Sequence, residues 1–213
     1  MTAFVCVTCG TQFPESEEPP EACPICLDPR QYVPEDGQRW TTMADLRVAH
    51  RTEVRADGEL DGVGCEPGFA IGQRALLVPF GEQRLMWDCI TLLDDAGAEA
   101  VEARGGLAGI AISHPHYYSA MVEWAHRFDC PVHLHANDRE WIMRPDSAIE
   151  LWSGEFLKLG TASRWCAAAG TSPAGRSSTG PAAPRAADRC SAATSCRSSR
   201  TARTSGSCTP TPT

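Results

Sequence analysis

Four cysteines near the amino terminus restrict the fold of this chain more than any other feature. They form two Cys-x-x-Cys pairs, Cys6 with Cys9 and Cys23 with Cys26, which are separated by thirteen residues. A Cys-x-x-Cys pair places two thiols on one tight turn, and two such turns complete a tetrahedral sulfur cage. The spacing therefore predicts a metal site in which all four cysteines are ligands.

The two cysteine pairs resemble the knuckles of a zinc ribbon or of a rubredoxin. The resemblance implies a structural zinc ion, with iron as the other metal that a four-sulfur cage accepts. Two disulfides, or a redox-active pair, are the alternatives. The first residues, MTAFVCVTCG, do not read as a secretory signal, so a cytoplasmic location is expected, where metal ligation is more common than disulfide formation. Residues 1–36 are predicted to form this unit, which needs its metal to fold.

Charge and hydropathy argue against several classes of function. The net charge of −8 over 213 residues does not suit a general nucleic-acid-binding protein. The sequence contains no apolar run of about 18 residues, so neither a membrane span nor a membrane partner is expected. A small-molecule substrate is the expected partner, and neither its identity nor the oligomeric state follows from the sequence.

The stretch from Gly105 to His135 has the pattern of a βαβ unit. Leu107 to Ile112 is an apolar run that predicts a buried strand, and His114 and His116 follow it closely. An apolar stripe at i, i+3, i+4 and i+7 then predicts a helix, and Pro131 to His135 predicts a second buried strand. Ligand sites in α/β sheets lie at the carboxyl ends of strands. The two loop histidines are therefore candidate metal ligands, with plain polar surface as the alternative.

Residues 37–160 are predicted to form one α/β domain around this unit. The other predicted elements are the strands Phe69 to Pro79 and Arg84 to Ile90, the helix Asp94 to Arg104, and a short helix from Asn137 to Met143 capped by Asn137. Residues 37–68 have little pattern, with one short strand predicted around Leu46 to Val54.

The segment SHPHYYS, residues 113–119, resembles the His-x-His-x-Asp-His motif of the metallo-β-lactamase fold hydrolases. His114 and His116 match the first two metal ligands, whereas Tyr118 and Ser119 stand where the motif has Asp and His. In the family those last two positions belong to a second metal site. That second site is therefore expected to be missing, while the two histidines of the first site are retained.

The resemblance covers about residues 69–155 and implies a fold, a reaction and further residue roles. The fold is the amino-terminal half of a metallo-β-lactamase αββα sandwich, preceded by the small zinc ribbon. The reaction is zinc-dependent hydrolysis, in which a metal-activated water attacks an ester, thioester or lactone-like carbonyl. Asp88 is similar to the family's strand-end Asp, which supports the active-site loops. Tyr118 is expected either to donate to the developing oxyanion or simply to pack, and a second zinc would bind at the two histidines.

The composition changes abruptly after residue 160. Residues 1–160 carry 26 acidic and 12 basic side chains, whereas residues 161–213 carry one acid, seven arginines and no Val, Ile, Leu, Met, Phe or Tyr. Such a segment is predicted to be disordered, because it buries too little apolar surface to offset its ordering entropy. Its composition is typical of a GC-rich gene read out of frame, with an ordinary disordered tail as the alternative. Shifted by one base, GC-rich codons here can encode Gly-Gly-His-Phe and Ser-Gly-Asp, which are similar to the family's missing ligand strands.

Two functions follow from these patterns. One is a metallo-β-lactamase-type hydrolase that is inactive in this truncated or frameshifted form, because the chain has no histidine after His135. The other is a non-catalytic zinc-ribbon binding module on a degenerate hydrolase scaffold. Loss of the motif's Asp-His pair favours the binding module, and retention of His114, His116 and Asp88 favours the hydrolase.

Overall fold

The computed structural model describes residues 1–27, 37–159 and the backbone of residues 163–165. Residues from Met1 to Gly154 belong to one compact unit, and a second unit begins at Glu155. Apart from the short backbone segment, the tail predicted to be disordered, residues 161–213, lies outside the described residues. The same holds for residues 28–36 of the predicted ribbon.

The described residues have a mixed α/β architecture with few helices. The strands are β1 (Thr2–Cys6), β2 (Gln12–Ser16), β3 (Trp40–Thr42), β4 (Arg51–Asp57), β5 (Leu60–Glu66), β6 (Ala75–Phe80), β7 (Gln83–Trp87), β8 (Leu107–Ala111), β9 (Val132–His135), β10 (Ile149–Trp152), β11 (Leu157–Leu159) and β12 (Ser163–Trp165). The helices are α1 (Met43–Ala49), α2 (Asp95–Glu102) and α3 (Met121–Phe128), with 3-10 helices at Pro115–Tyr117 and Ala136–Trp141. Within the described ranges, no helix is long and apolar enough to cross a membrane.

Seven strands form one mixed sheet in the order β10-β9-β8-β7-β6-β5-β4. Neighbours from β4 to β7 are antiparallel, and neighbours from β7 to β10 are parallel. Parallel neighbours need a crossover connection, which α2 provides between β7 and β8 and α3 provides between β8 and β9. The carboxyl ends of β7, β8 and β9 therefore meet at one edge of the sheet. The order of strands and helices predicted from β6 to β9 is confirmed.

The main core lies between this sheet and the helices. Helix α3 buries the predicted stripe, and Trp124 at its centre is fully buried. The apolar residues that meet there include Ile110, Met121, Trp124, Ala125, Val132 and Leu134. Burying one large apolar side chain contributes about 1.5–3 kcal/mol. This packing fixes β8 and β9 relative to α3, and so fixes the loop that joins β8 to α3.

Residues 37–68 fold differently from the prediction. The strand predicted around Leu46 to Val54 is wrong over its first part, which belongs to helix α1. Thr42 caps α1, because its hydroxyl accepts a hydrogen bond from Asp45 N at 3.1 Å. Strand β4 begins only at Arg51 and forms a hairpin with β5. That hairpin was missed because β4 is an edge strand of mostly exposed polar residues, without clear alternation.

A separate three-stranded sheet, in the order β2-β1-β3, carries the first cysteine pair. Cys6 is the last residue of β1, and β3 pairs antiparallel with β1. The third strand lies beyond residue 36, so the small sheet extends past the boundary predicted for the ribbon. In the second unit, β11 and β12 pair antiparallel.

Candidate metal sites

The four predicted cysteines meet at one buried point. All four Sγ atoms lie within 4.8 Å of one another. Cys6 Sγ is 3.6 Å from Cys26 Sγ, and Cys9 Sγ is 3.6 Å from Cys23 Sγ. A disulfide has about 2.05 Å between its sulfurs, so these are free thiols. Zinc–sulfur bonds of about 2.3 Å give a tetrahedron with edges of about 3.8 Å. The cluster therefore has the size of a four-sulfur metal cage.

Two turns hold the cysteines in this arrangement. In the first turn Gly10 N donates to Cys6 O at 2.8 Å, and in the second Cys26 N donates to Cys23 O at 3.0 Å. Buried Phe13 packs against the cluster. Each Cys-x-x-Cys pair thus forms its own local turn, and the two turns meet at the cluster.

The thiols perturb one another because they are so close. Hydrogen bonds with Cys23 and Cys26 lower the pKa of the Cys6 thiol. The pKa of the Cys26 thiol is raised, chiefly through its hydrogen bond with Cys23. Hydrogen bonding among the thiols therefore moves their pKa values in opposite directions. A cation among the sulfurs would balance the charge of four thiolates, so the donor set fits a metal ion.

Asp88 and Ser113 fix the start of the histidine loop. Asp88 follows β7 with a φ of 63°, and its Oδ1 accepts hydrogen bonds from Ser113 N at 2.8 Å and Ser113 Oγ at 2.7 Å. Burial raises the pKa of the Asp88 carboxyl, and the hydrogen bonds from Ser113 oppose that rise. Asp88 therefore supports the residue directly before His114.

His114 and His116 lie side by side after the carboxyl end of β8. Their rings stack with centroids 4.8 Å apart and an interplanar angle of 14°. The two Nδ1 atoms are 3.0 Å apart, and His116 N donates to His114 Nδ1 at 3.2 Å. Two nitrogens bound to one zinc at about 2.1 Å would lie about 3.4 Å apart. The two Nδ1 atoms thus lie near the spacing of two ligands of one cation, and a cation would have to displace the hydrogen bond from His116 N to His114 Nδ1.

The described residues do not supply a third ligand to this pair. Among them, the cysteine cluster is the only set of three or more His, Cys, Asp or Glu side chains whose ligand atoms converge. On β9, His133 Nδ1 lies 3.3 Å from Glu150 Oε2, and His135 Nε2 lies 3.3 Å from Gly154 O. His135 Nδ1 also accepts from Asn137 N at 3.2 Å, so it takes the capping position that was predicted for Asn137. Catalytic zinc usually has three protein ligands, and two histidines alone do not fit it.

Tyr118 and Ser119, at the positions of the missing motif residues, make structural contacts. Tyr118 is almost fully buried in the main core, and burial raises the pKa of its phenol. The Ser119 hydroxyl donates to Cys89 O at 3.3 Å, and its backbone carbonyl accepts from Gln12 N at 3.0 Å. Ser119 thereby connects the histidine loop to the cysteine-bearing sheet.

A polar junction that no sequence pattern predicted joins the cysteine cluster to the histidine loop. Buried Gln73 donates from Nε2 to Cys9 O at 2.8 Å and to His116 O at 2.7 Å. Thr91 Oγ1 lies 2.9 Å from Gln73 Oε1 and 2.8 Å from Gly10 O. A Cβ at Gly10, which has a φ of +78°, would overlap Thr91 Oγ1. The glycine after the first cysteine pair was the one visible signal, because Gln73 and Thr91 lie in segments without periodicity.

Comparison with known proteins shows a relative in a bacterium. No protein-family model matches the chain. The chain is similar to the uncharacterized protein YmaE of Bacillus subtilis (strain 168), with 42% identity over 162 residues. The match covers 75% of this chain and 59% of YmaE, so the chain spans about three-fifths of the length of that relative.

Proposed function

We propose that this chain combines a structural zinc site of four cysteines with part of a zinc-dependent hydrolase of the metallo-β-lactamase superfamily, whose hydrolytic centre is incomplete here. The observation that carries the proposal is the Asp88-supported loop that places the rings of His114 and His116 against each other. Both histidines lie at the edge where parallel strands end, and such edges hold the ligand sites of α/β sheets. The sheet of antiparallel and parallel strands is compatible with half of the αββα sandwich.

Zinc is the metal proposed for the cysteine cage. The four buried sulfurs leave no open coordination position, so the metal would stabilise the fold and take no part in a reaction. Iron is the alternative occupant of the same donor set.

The substrate class is an ester, a thioester or a lactone-like carbonyl compound. No reaction step is assigned to the present chain, because His114 and His116 lack a third protein ligand among the described residues. Asp88 acts on the loop through Ser113 and does not reach a substrate itself in this proposal. A tail read out of frame would account for the missing ligand.

The contacts of Tyr118 and Ser119 favour a second candidate function. Tyr118 packs in the core, and Ser119 holds Gln12 of the cysteine-bearing sheet. Both residues therefore stabilise the fold. This is expected if the α/β part is a scaffold without catalytic activity and the four-cysteine unit binds a partner.

A hydrolysis assay on two chains distinguishes these candidates. The present chain and a chain with the reading frame corrected after residue 160 are supplied with zinc and offered thioester, ester and lactone substrates. The hydrolase proposal predicts activity in the corrected chain alone, with loss of that activity in its His116→Ala variant and retention in His126→Ala, a surface histidine control. Zinc-dependent hydrolysis by the present chain would contradict an incomplete centre. A corrected chain that binds zinc at the cysteines and hydrolyses nothing would support the binding module.

A further inference from the structure

The side chain of Gln73 is held from three directions at once. Its Nε2 donates to Cys9 O at 2.8 Å and to His116 O at 2.7 Å. With both N–H groups used, Oε1 is left as an acceptor for Thr91 Oγ1 at 2.9 Å, whose single proton is shared with Gly10 O at 2.8 Å. The side chain is buried, so water does not replace a lost partner easily. Because the amide group is planar, it cannot follow one carbonyl without straining its bond to the other.

The two carbonyls belong to the two candidate sites. Cys9 is a ligand of the cysteine cage, and its turn is tied by the hydrogen bond from Gly10 N to Cys6 O at 2.8 Å. His116 lies in the loop that presents the paired imidazoles, and its own N–H donates to His114 Nδ1 at 3.2 Å. A displacement of Cys9 therefore reaches the backbone of His116 through one side chain, and reaches His114 through one further hydrogen bond.

We infer that Gln73 is a positioning residue that makes the geometry of the histidine pair depend on the metal in the cysteine cage. The inference rests on the proposed metal binding at the four cysteines and is independent of any hydrolase activity. A larger ion expands the cage and displaces Cys9 O, and Gln73 transmits that displacement to His116. The neighbouring Thr91 hydroxyl contacts Gly10 O at 2.8 Å, and it contacts Gln73 through Oε1 and not through the Nε2 donors that reach the two carbonyls.

Nuclear magnetic resonance of the imidazole nitrogens tests this inference. The full chain is loaded with one equivalent of Zn²⁺ or of the larger Cd²⁺, and mass spectrometry counts the bound ions. In the wild type, the ring ¹⁵N signals of His114 and His116 are expected to differ between the Zn²⁺ and Cd²⁺ forms. Those of His50, which lies outside this path, are expected to stay unchanged. In Gln73→Met, a near-isosteric side chain without N–H donors, the difference is expected to disappear.

Two further variants make the test decisive. Thr91→Val removes the hydroxyl while leaving the Gln73 donors in place, so the Zn²⁺–Cd²⁺ difference is expected to persist. Gln73→Glu donates to neither carbonyl when ionised, so the Zn²⁺–Cd²⁺ difference is expected to disappear in this variant too, which serves as the test if Gln73→Met folds poorly. A difference that persists in both folded Gln73 variants, or its absence in the wild type with one ion bound, would overturn the inference. Failure of the wild type to bind either ion would instead refute the proposed four-cysteine site.

Discussion

The backbone carbonyls of Cys9 and His116 accept hydrogen bonds from the same side-chain nitrogen, Nε2 of Gln73, at 2.8 and 2.7 Å. Cys9, in the turn after β1, and His116, in the 3-10 helix after β8, are far apart in the sequence and are thus joined by one buried amide. The cysteine cluster and the histidine loop are therefore parts of one compact unit.

Gly10 is predicted to be essential at this junction. Gly10→Ala would force a residue with a Cβ into a φ of +78° and against Thr91 Oγ1, and the Cβ would also lie 2.8 Å from Gln73 Oε1. Gly81→Ala is the matched control, because Gly81 has a φ of +64° with no neighbouring atom within 4 Å. The control is expected to lose about 1–2 kcal/mol of unfolding free energy from backbone strain. Gly10→Ala is expected to lose about 2 kcal/mol more from overpacking, measured by chemical denaturation. Equal losses would show that the junction tolerates a methyl group.

Local patterns account for the parts of the fold that the sequence predicted. The sequence predicts α3 because a helix with one buried face repeats its apolar residues every three or four positions. The cysteine cluster is visible because each Cys-x-x-Cys pair closes its own turn. The sequence predicts the carboxyl end of β8 because the apolar run from Leu107 to Ile112 stops just before His114.

The contacts that the sequence did not predict are long-range. Gln73 and Cys9 are 64 positions apart, and a single buried glutamine has no periodicity that would mark it. Helix α1 was missed because its signal is one capping hydrogen bond from Asp45 N to Thr42, and only Leu46 of its seven residues is buried. The contact of Ser119 with Gln12 likewise depends on how the small sheet packs, which no local pattern encodes.

Two substitutions of Asp88 are predicted to reduce the unfolding free energy by different amounts. Asp88→Ala leaves Ser113 N and Ser113 Oγ without their acceptor and is expected to cost about 1–3 kcal/mol of unfolding free energy. Asp88→Asn keeps an acceptor oxygen and is expected to cost much less at neutral pH, since it also removes a buried negative charge. Chemical denaturation of the two variants measures the difference, and equal losses would contradict the role of the acceptor oxygen.

The same carboxyl makes stability depend on pH. Burial raises the Asp88 pKa in the folded state, so the folded protein binds this proton more strongly than the unfolded chain does. The contribution of the Asp88 carboxyl to the unfolding free energy is present at low pH. It is lost as the pH rises from 3.8, the ordinary pKa of the group, through the raised pKa of the folded state. The difference in unfolding free energy between wild type and Asp88→Asn should therefore change across that window. A difference that is flat with pH would contradict the raised pKa.

The histidine pair is predicted to bind zinc weakly. With the cysteine cage already filled, two imidazoles that have no third protein ligand among the described residues leave a second zinc mostly solvated. Calorimetric titration of the filled protein is expected to show no tight second site, and His116→Ala should abolish the weak heat that remains. His126→Ala, which changes a histidine paired with Asp146 on the surface, should leave that heat unchanged. Tight binding that is lost in His116→Ala would mean that the site is complete.

The composition break after residue 160 predicts a change of reading frame in the gene. Resequencing of the coding DNA near the codon for Gly160 is expected to show an inserted or missing base. The corrected chain is expected to contain Gly-Gly-His-Phe and Ser-Gly-Asp and to bind zinc beyond the first equivalent. An intact frame on resequencing would favour an ordinary tail and leave the histidine pair without its third ligand.

The metal content of the purified chain tests the central claim most directly. Elemental analysis after gel filtration is expected to find one zinc, or one iron, per wild-type chain, and one per chain of Cys65→Ser, whose thiol lies outside the cage. Cys23→Ser is expected to contain none and to lose the fold of the cysteine-bearing sheet, because metal binding supplies the folding free energy of such small units. A metal-free wild type prepared under reducing conditions, or a Cys23→Ser variant that keeps its metal, would contradict a metal site of four cysteines.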